Sequence, residues 1–126
     1  MMNIVILDYC VLLPEHVRRL KRIGQIYIYN DFPKGEEVIK RLSKADVVVT
    51  ASTDINEEIL AQCGSLKMIC LASTGYDRID VKAANKRGII VTNVVGYATT
   101  AVAEHTFALL FALKHPHEHL SKLVGH

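Results

Sequence analysis

Short apolar runs alternate with helix-like segments along the whole chain, with a repeat of about 20 residues. The runs are unbroken and rich in Val, Ile and Leu, which is typical of strands buried on both faces. Alternation of this kind predicts an α/β fold with a parallel sheet, right-handed crossovers and helices on both faces. We expect five strands in the flavodoxin-like order 2-1-3-4-5 rather than a half-Rossmann order. The predicted strands are 4–7, 26–29, 47–49, 67–71 and 89–91.

Helix-terminus signals support this division of the chain. Pro14 is suited to the first turn of a helix. Asp54 with Glu57 three residues later resembles a capping pair for the third helix. Asp80 is predicted to cap the fourth helix, and Gly88 to end it.

Composition excludes several classes of function. The 126 residues carry a formal net charge of only +2, without a basic run, so we predict neither a nucleic-acid nor a membrane partner. The three cysteines are far apart and lack metal-ligand spacing, and no signal peptide is recognisable, which favours a cytoplasmic protein with reduced thiols. We predict no metal site, and interpret the histidines 115, 117 and 119 as a solvated tail with adventitious affinity.

Ligands of parallel α/β sheets bind beyond the carboxyl ends of the strands. Neither a P-loop nor a G-x-G-x-x-G pattern is present, since no two glycines lie two residues apart. Loop 8–13 lacks a Ser/Thr/Gly cradle for a flavin phosphate, and Thr50-Ala51-Ser52 stands where a phospho-receiver needs an aspartate. Asp8 has no evident partner. Loops 73–77 and 93–100 follow neighbouring strands of the expected order and are predicted to form one cleft edge.

Two stretches, STGYDRID and AANKRGIIVTNVVGYATTAVAEHTFALL, resemble the D-isomer-specific 2-hydroxyacid dehydrogenases, most closely the glycerate, hydroxypyruvate and D-lactate branches. The Arg-Gly-Ile strand, the Asn-Val-x-Gly-Tyr loop and the Val-Ala-Glu-His helix occur in family order and spacing. The resemblance implies a flavodoxin-like substrate domain, which in the family is followed by a Rossmann domain. It predicts an NAD- or NADP-dependent oxidoreductase as the parent function, without choosing the cofactor or the 2-hydroxy acid.

The resemblance also implies residue roles. Backbone amides of Thr74 and Gly75 are expected to bind the substrate carboxylate, with the glycine permitting unusual backbone angles and close approach. Tyr97 matches a tyrosine that reaches the substrate in lactate-type members, and Val102 is expected near the nicotinamide. His105 is interpreted as structural.

The family's catalytic arginine, glutamate and histidine lie in or after the Rossmann domain, and none of those motifs occurs here. We therefore predict no catalytic residue in this chain, no cofactor bound by it alone, weak binding of a small 2-oxo or 2-hydroxy acid, and no turnover. The chain is interpreted as a truncated or excised substrate-binding half. Two alternatives stay open: a stand-alone small-carboxylate binding module, and an oligomerising scaffold without a ligand.

The predicted domains are 1–99, the flavodoxin-like substrate domain, and 100–126, a hinge-type helix and tail. The helix from about Thr99 is apolar around almost its whole circumference, so its surface must be buried on all sides. We predict that it packs on the first domain or on a partner chain. A homodimer built on residues 100–114 is the expected assembly.

Overall fold

The computed structural model describes residues 1–114. Within them, strands and helices alternate without interruption. The strands are β1 (Met2–Ile6), β2 (Gly24–Ile28), β3 (Val47–Thr50), β4 (Met68–Leu71) and β5 (Ile90–Thr92). The helices are α1 (Pro14–Lys21), α2 (Glu36–Leu42), α3 (Glu57–Ala61), α4 (Val81–Lys86) and α5 (Thr99–Lys114).

The strands form one parallel sheet in the order β2-β1-β3-β4-β5, which confirms the predicted flavodoxin-like arrangement. In the register of the central strands, Val5 lies beside Val48 and Val48 beside Ile69. These side chains share one face of the sheet, where they belong to the main apolar cluster. Buried residues of α2, α3 and α4 complete that cluster, so these helices cover this face: Val38, Leu42, Ile59, Leu60, Ala83 and Ala84.

Most helix-terminus signals are confirmed. Pro14 is the first residue of α1. The Asp80 carboxylate accepts a hydrogen bond from the Ala83 amide at 2.9 Å and caps α4. Gly88, beyond the end of α4, has a φ of 70°, a left-handed conformation that favours glycine.

The predicted Asp54–Glu57 capping pair is wrong. Asn56 caps α3, and its side-chain oxygen accepts a hydrogen bond from the Ile59 amide at 3.0 Å. Asp54 instead pairs with Arg78 at 3.0 Å. Both residue types are good caps, and Asn56 prevails because it directly precedes the first helical residue.

The chain divides into two compact units, Met1–Val95 and Gly96–His126, and the second is described as far as Lys114. The division into domains 1–99 and 100–126 stays a prediction. Helix α5 is confirmed as a helix of about four turns. Its large apolar side chains are all more than half exposed: Val102, Phe107, Leu109, Leu110, Phe111 and Leu113. In the described part of the chain, no helix has the length and apolarity needed to cross a membrane.

Candidate functional site

A buried carboxylate lies at the carboxyl edge of the sheet, directly after β1. Asp8 is fully buried and accepts hydrogen bonds from the loop that follows β3. The hydroxyls of Thr50 and Thr53 donate to it at 2.6 and 2.7 Å. Three successive backbone amides also donate, those of Ala51, Ser52 and Thr53, at 2.8, 2.9 and 2.8 Å. The loop thus forms an anion nest that is filled by the chain's own carboxylate.

These donors determine the ionisation of Asp8. Burial raises the pKa of the carboxyl, but the hydrogen bonds from Thr50, Ala51, Ser52 and Thr53 outweigh it, and the pKa lies below its ordinary value. Asp8 is therefore an anion at neutral pH. The neighbouring Cys10 Sγ lies 3.6 Å from Asp8 Oδ1, and burial together with that negative charge raises the pKa of the thiol to about 11, so it is protonated at neutral pH.

Sequence reasoning did not identify the role of Asp8. Its partners lie 42 to 45 positions further along the chain, so no local spacing reveals them. A signal did exist, because an isolated aspartate after one strand and a hydroxyl-rich loop after the adjacent strand meet at the same sheet edge. A rule that matches such loops across neighbouring strands would have paired Asp8 with residues 50–53.

The loop after β3 is connected to the loop after β4. The Ala72 amide donates to the Thr50 carbonyl at 2.8 Å. Farther along, the Ile55 amide donates to the Arg78 carbonyl at 2.9 Å, and the Asp80 amide donates to the Ile55 carbonyl at 3.0 Å. The segment between these connections, which contains residues 73–75, is therefore held at both ends.

The carbonyls of the 73–75 turn all accept hydrogen bonds. The Ser73 carbonyl accepts from the Val94 amide at 3.0 Å, and the Thr74 carbonyl accepts from the Asn93 side-chain amide at 2.7 Å. The Gly75 carbonyl accepts from the Ser73 hydroxyl at 3.0 Å. Two of these bonds join the loops after β4 and β5, which confirms the prediction that these loops adjoin.

The amides of the same turn are unoccupied. Within residues 1–114, the N–H groups of Thr74 and Gly75 donate no hydrogen bond, and both residues are exposed. A backbone donor left without a partner needs water or a ligand to satisfy it. The turn therefore presents adjacent donors to solvent, the arrangement expected of an anion-binding turn.

Gly75 does not adopt unusual backbone angles, so that part of the prediction is wrong. Positive φ angles occur at Gly35, Gly88 and Gly96 among residues 1–114. A Cβ built on Gly75 would meet only the Asp77 carboxylate, at 3.7 Å, which is ordinary contact. Gly75 thus leaves space above the turn. Tyr76, which follows the turn, and Asn93, which donates to it, are among the residues that line a cavity of 280 Å³.

The remaining predicted site residues lie in the second unit. Tyr97 follows Gly96, whose φ of 77° turns the chain before α5, and its side chain is exposed. Val102 lies in the first turn of α5 and is also exposed. Their roles toward substrate and nicotinamide stay predictions. The histidines 115, 117 and 119 lie outside the described residues.

Comparison with known proteins identifies the family to which the chain belongs. The sequence profile of the D-isomer specific 2-hydroxyacid dehydrogenase catalytic domain matches residues 4–118. A putative 2-hydroxyacid dehydrogenase of Haemophilus influenzae is 36% identical over 116 residues, which are 90% of this chain and 36% of that protein. A hydroxypyruvate reductase of Blautia hydrogenotrophica is 32% identical over 127 residues, covering 98% of this chain and 39% of the relative.

Solved structures give the same result. An acyclic imino acid reductase in complex with NADPH and D-Arg superimposes with a TM-score of 0.86 and 35% identity, covering 99% of this chain and 42% of its own. The chain thus spans well under half the length of the relatives that it matches.

Proposed function

The chain belongs to the D-isomer specific 2-hydroxyacid dehydrogenases, and from this premise we propose that it is the substrate-binding half of a 2-oxo acid/2-hydroxy acid oxidoreductase. The 73–75 turn holds the substrate carboxylate. The observation that carries this proposal is the hydrogen bonding of its peptide groups. All three carbonyls accept from within the chain, whereas the amides of Thr74 and Gly75 are exposed and donate to no acceptor in residues 1–114.

Binding by such a turn is weak on its own. Two backbone amides supply hydrogen bonds but no full positive charge and no bidentate guanidinium clamp. We expect millimolar affinity or weaker, about −4 kcal/mol or less favourable. Tyr97 contributes a contact to the substrate in this proposal, as the family resemblance implies.

Turnover requires groups beyond this chain. Dinucleotide-binding turns carry closely spaced glycines between a strand and a helix. Within residues 1–114, each loop at the carboxyl edge has at most one glycine, so these residues do not fit a dinucleotide pyrophosphate. The family's arginine, glutamate and histidine motifs are also absent from the sequence. The chain alone is therefore proposed to bind substrate without transferring hydride, with Val102 facing a nicotinamide supplied with a second domain.

The test is an amide-resolved NMR titration of the chain with hydroxypyruvate or glyoxylate, beside an assay of NAD(P)H oxidation with the same acids. We expect the largest shift changes at Thr74 and Gly75 and no NAD(P)H oxidation. Shift changes centred on the histidines 115, 117 and 119 would overturn the site. NAD(P)H oxidation by the pure chain would overturn the proposal that it binds substrate without transferring hydride.

A 2-imino acid is the second candidate substrate. The structural relative with a TM-score of 0.86 is an imino acid reductase solved with D-Arg, and a 2-imino acid shares with a 2-oxo acid the carboxylate next to an sp² carbon. The turn recognises only that carboxylate. Titration with D-alanine and D-lactate distinguishes the candidates, because these two products share a side chain and differ only in the amino or hydroxyl group at C2. A preference of tenfold or more for one of them would show that residues beyond the turn recognise that group.

We further propose that α5 associates with α5 of a second copy. Phe107, Leu110 and Phe111 share one stripe of the helix and are all more than half exposed. In an antiparallel pair that places Phe107 opposite Phe111 of the other copy, Glu104 lies in register with Lys114, so charge and apolar surface are both complementary. Burial of about 500 Å² contributes on the order of 12 kcal/mol before the costs of association.

Light scattering over a concentration series tests this association. We expect a dimer for the native chain and dissociation for Phe111→Asp, whereas Glu104→Lys with Lys114→Glu restores the pairing that either single change weakens. A native chain that stays monomeric at high concentration would overturn it.

A further inference from the structure

The Asp8 carboxylate, which the amides of residues 51–53 bind, is also connected to the neighbouring 73–75 turn. Asp8 accepts five hydrogen bonds from residues 50–53, and one of them comes from the Thr50 hydroxyl. The carbonyl of the same Thr50 accepts a hydrogen bond from the Ala72 amide. Ala72 is the residue directly before the 73–75 turn. A continuous path of hydrogen bonds therefore runs from the Asp8 carboxylate through Thr50 to the start of that turn.

We propose that Asp8 is a positioning residue for the substrate turn: it fixes loop 50–53 and, through Thr50 and Ala72, sets the direction of the Thr74 and Gly75 amides. This role rests on the proposed function of the turn. Asp8 itself does not touch the substrate, because it is fully buried and its two oxygens are occupied.

A carboxylate is needed at this position because all of its partners in residues 50–53 are donors. Oδ2 accepts from Thr50, Ser52 and both donors of Thr53, and Oδ1 accepts from Ala51. An asparagine has one acceptor oxygen, and its NH₂ group would face N–H or O–H groups. Asp8→Asn keeps the size of the side chain but removes the charge that strengthens the path, and with its oxygen at the Oδ2 position its NH₂ group meets the Ala51 amide, so residues 50–53 must rearrange.

A second aspartate at the opposite edge of the same sheet gives a matched control. Asp46 accepts from the Asn3 amide at 2.9 Å and pairs with Lys67 at 2.8 Å, at the amino ends of β1 and β4. It links the same group of strands as Asp8 but lies away from the 73–75 turn. Asp46→Asn therefore perturbs the sheet without entering the path from Asp8 to Ala72.

The experiment compares Asp8→Asn with Asp46→Asn by amide NMR and by titration with hydroxypyruvate. For Asp8→Asn, we expect the ligand-free resonances of residues 72–75 to move and the dissociation constant to rise at least fivefold. For Asp46→Asn, those resonances stay in place and the constant changes less than twofold. An unchanged constant in Asp8→Asn, or an equal loss in both variants, would overturn the proposal.

Two further readouts decide the remaining cases. If Asp8→Asn does not fold, Thr53→Val, which removes one donor hydroxyl, is expected to raise the constant about twofold, and no change would count against Asp8. If the native chain binds no 2-oxo acid, the proposed function fails. The ligand-free resonances of residues 72–75 then still test positioning, since they move in Asp8→Asn only if Asp8 holds the turn.

Discussion

Two adjacent loops at the carboxyl edge of the sheet orient their peptide groups in opposite ways. In the loop after β3, the amides of Ala51, Ser52 and Thr53 point inward and bind the Asp8 carboxylate. In the loop after β4, the carbonyls of residues 73–75 accept from the chain's own donors, while the amides of Thr74 and Gly75 face solvent without an acceptor among the described residues 1–114. The first loop has a built-in anion, and the second lacks one.

The difference separates a structural anion site from a binding site. When a side-chain carboxylate occupies the amides of a nest, it stabilises the loop but leaves no donor for a ligand. Leaving the donors of the next turn free has an energetic cost unless water or a ligand satisfies them. Because the hydrogen bond from the Ala72 amide to the Thr50 carbonyl links the loops, the nest filled by Asp8 supports the 73–75 turn, which we call the open turn.

Emptying the filled nest is the change with the largest expected effect. Asp8→Asn replaces one acceptor oxygen by an NH₂ group that faces a donor, and it removes the charge that strengthens the other bonds, so we expect the free energy of unfolding to fall by about 3 kcal/mol. Urea denaturation measures it. Asp46→Asn is the control and should cost about 1 kcal/mol, because its carboxylate is partly exposed and its Lys67 partner lies at the surface. Equal losses of unfolding free energy in the two variants would contradict the claim that Asp8 stabilises the fold more than Asp46 does.

Acid should weaken the filled nest before it affects the open turn. The folded-state pKa of Asp8 is depressed, so its ionised form contributes stability that is present above pH ~4 and lost as the pH falls through the folded pKa. The loss is at most about 1.4 kcal/mol per pH unit. Asp31 and Asp46 also have depressed pKa values, so the diagnostic quantity is the difference between the native chain and Asp8→Asn. Parallel stability curves for the two below pH 4 would contradict the assignment.

Adding a methyl group above the open turn should reduce binding without harming the fold. A Cβ at Gly75 has only ordinary contact with Asp77, so Gly75→Ala is expected to leave thermal stability unchanged while weakening carboxylate binding three- to tenfold, about 1 kcal/mol. Gly64→Ala is the matched control, since a Cβ there meets nothing within 4 Å. Calorimetry that finds the same affinity for both variants would show that the ligand does not approach Gly75.

Removing the side-chain hydrogen bond to the Thr74 carbonyl of the open turn should have the smallest effect. Asn93→Ala removes the 2.7 Å bond to the Thr74 carbonyl, which lies at the surface, so we expect a loss of about 0.5–1 kcal/mol of stability. Faster hydrogen exchange at the Val94 amide, which donates to the Ser73 carbonyl, should accompany a two- to threefold loss of affinity. Unchanged exchange would mean that Asn93 does not order the turn.

Strand positions and most helix boundaries could be predicted because they depend on local patterns, whereas the strand order 2-1-3-4-5 was favoured by fold type and depends on pairing between distant segments. Apolar runs define the strands, and Asp80 and Gly88 mark the limits of α4 by their own conformational preferences. The cap of α3 was misassigned because Asp54 and Asn56 are both competent caps, and only tertiary contact shows that Asp54 pairs with Arg78.

The site was only partly predictable from the sequence. The 73–75 turn was identified through family motifs, but the expected backbone strain at Gly75 is absent, because what the turn needs there is space. The Asp8 nest was missed because its donors lie in the loop after another strand. Residue types also do not show whether the amides or the carbonyls of a loop point inward. The sequence reveals neither the occupied carbonyls nor the exposed amides of residues 73–75.

The most direct measurement of the central claim compares pyruvate with methyl pyruvate in amide-resolved titrations. The two molecules share the 2-oxo group and differ in the negative charge of the carboxylate. If the open turn is an anion site, pyruvate shifts the Thr74 and Gly75 amides in a saturable way, and methyl pyruvate leaves them in place. Equal shifts with both molecules, or a pyruvate response confined to residues other than 73–75, would contradict the assignment of this turn as the carboxylate site.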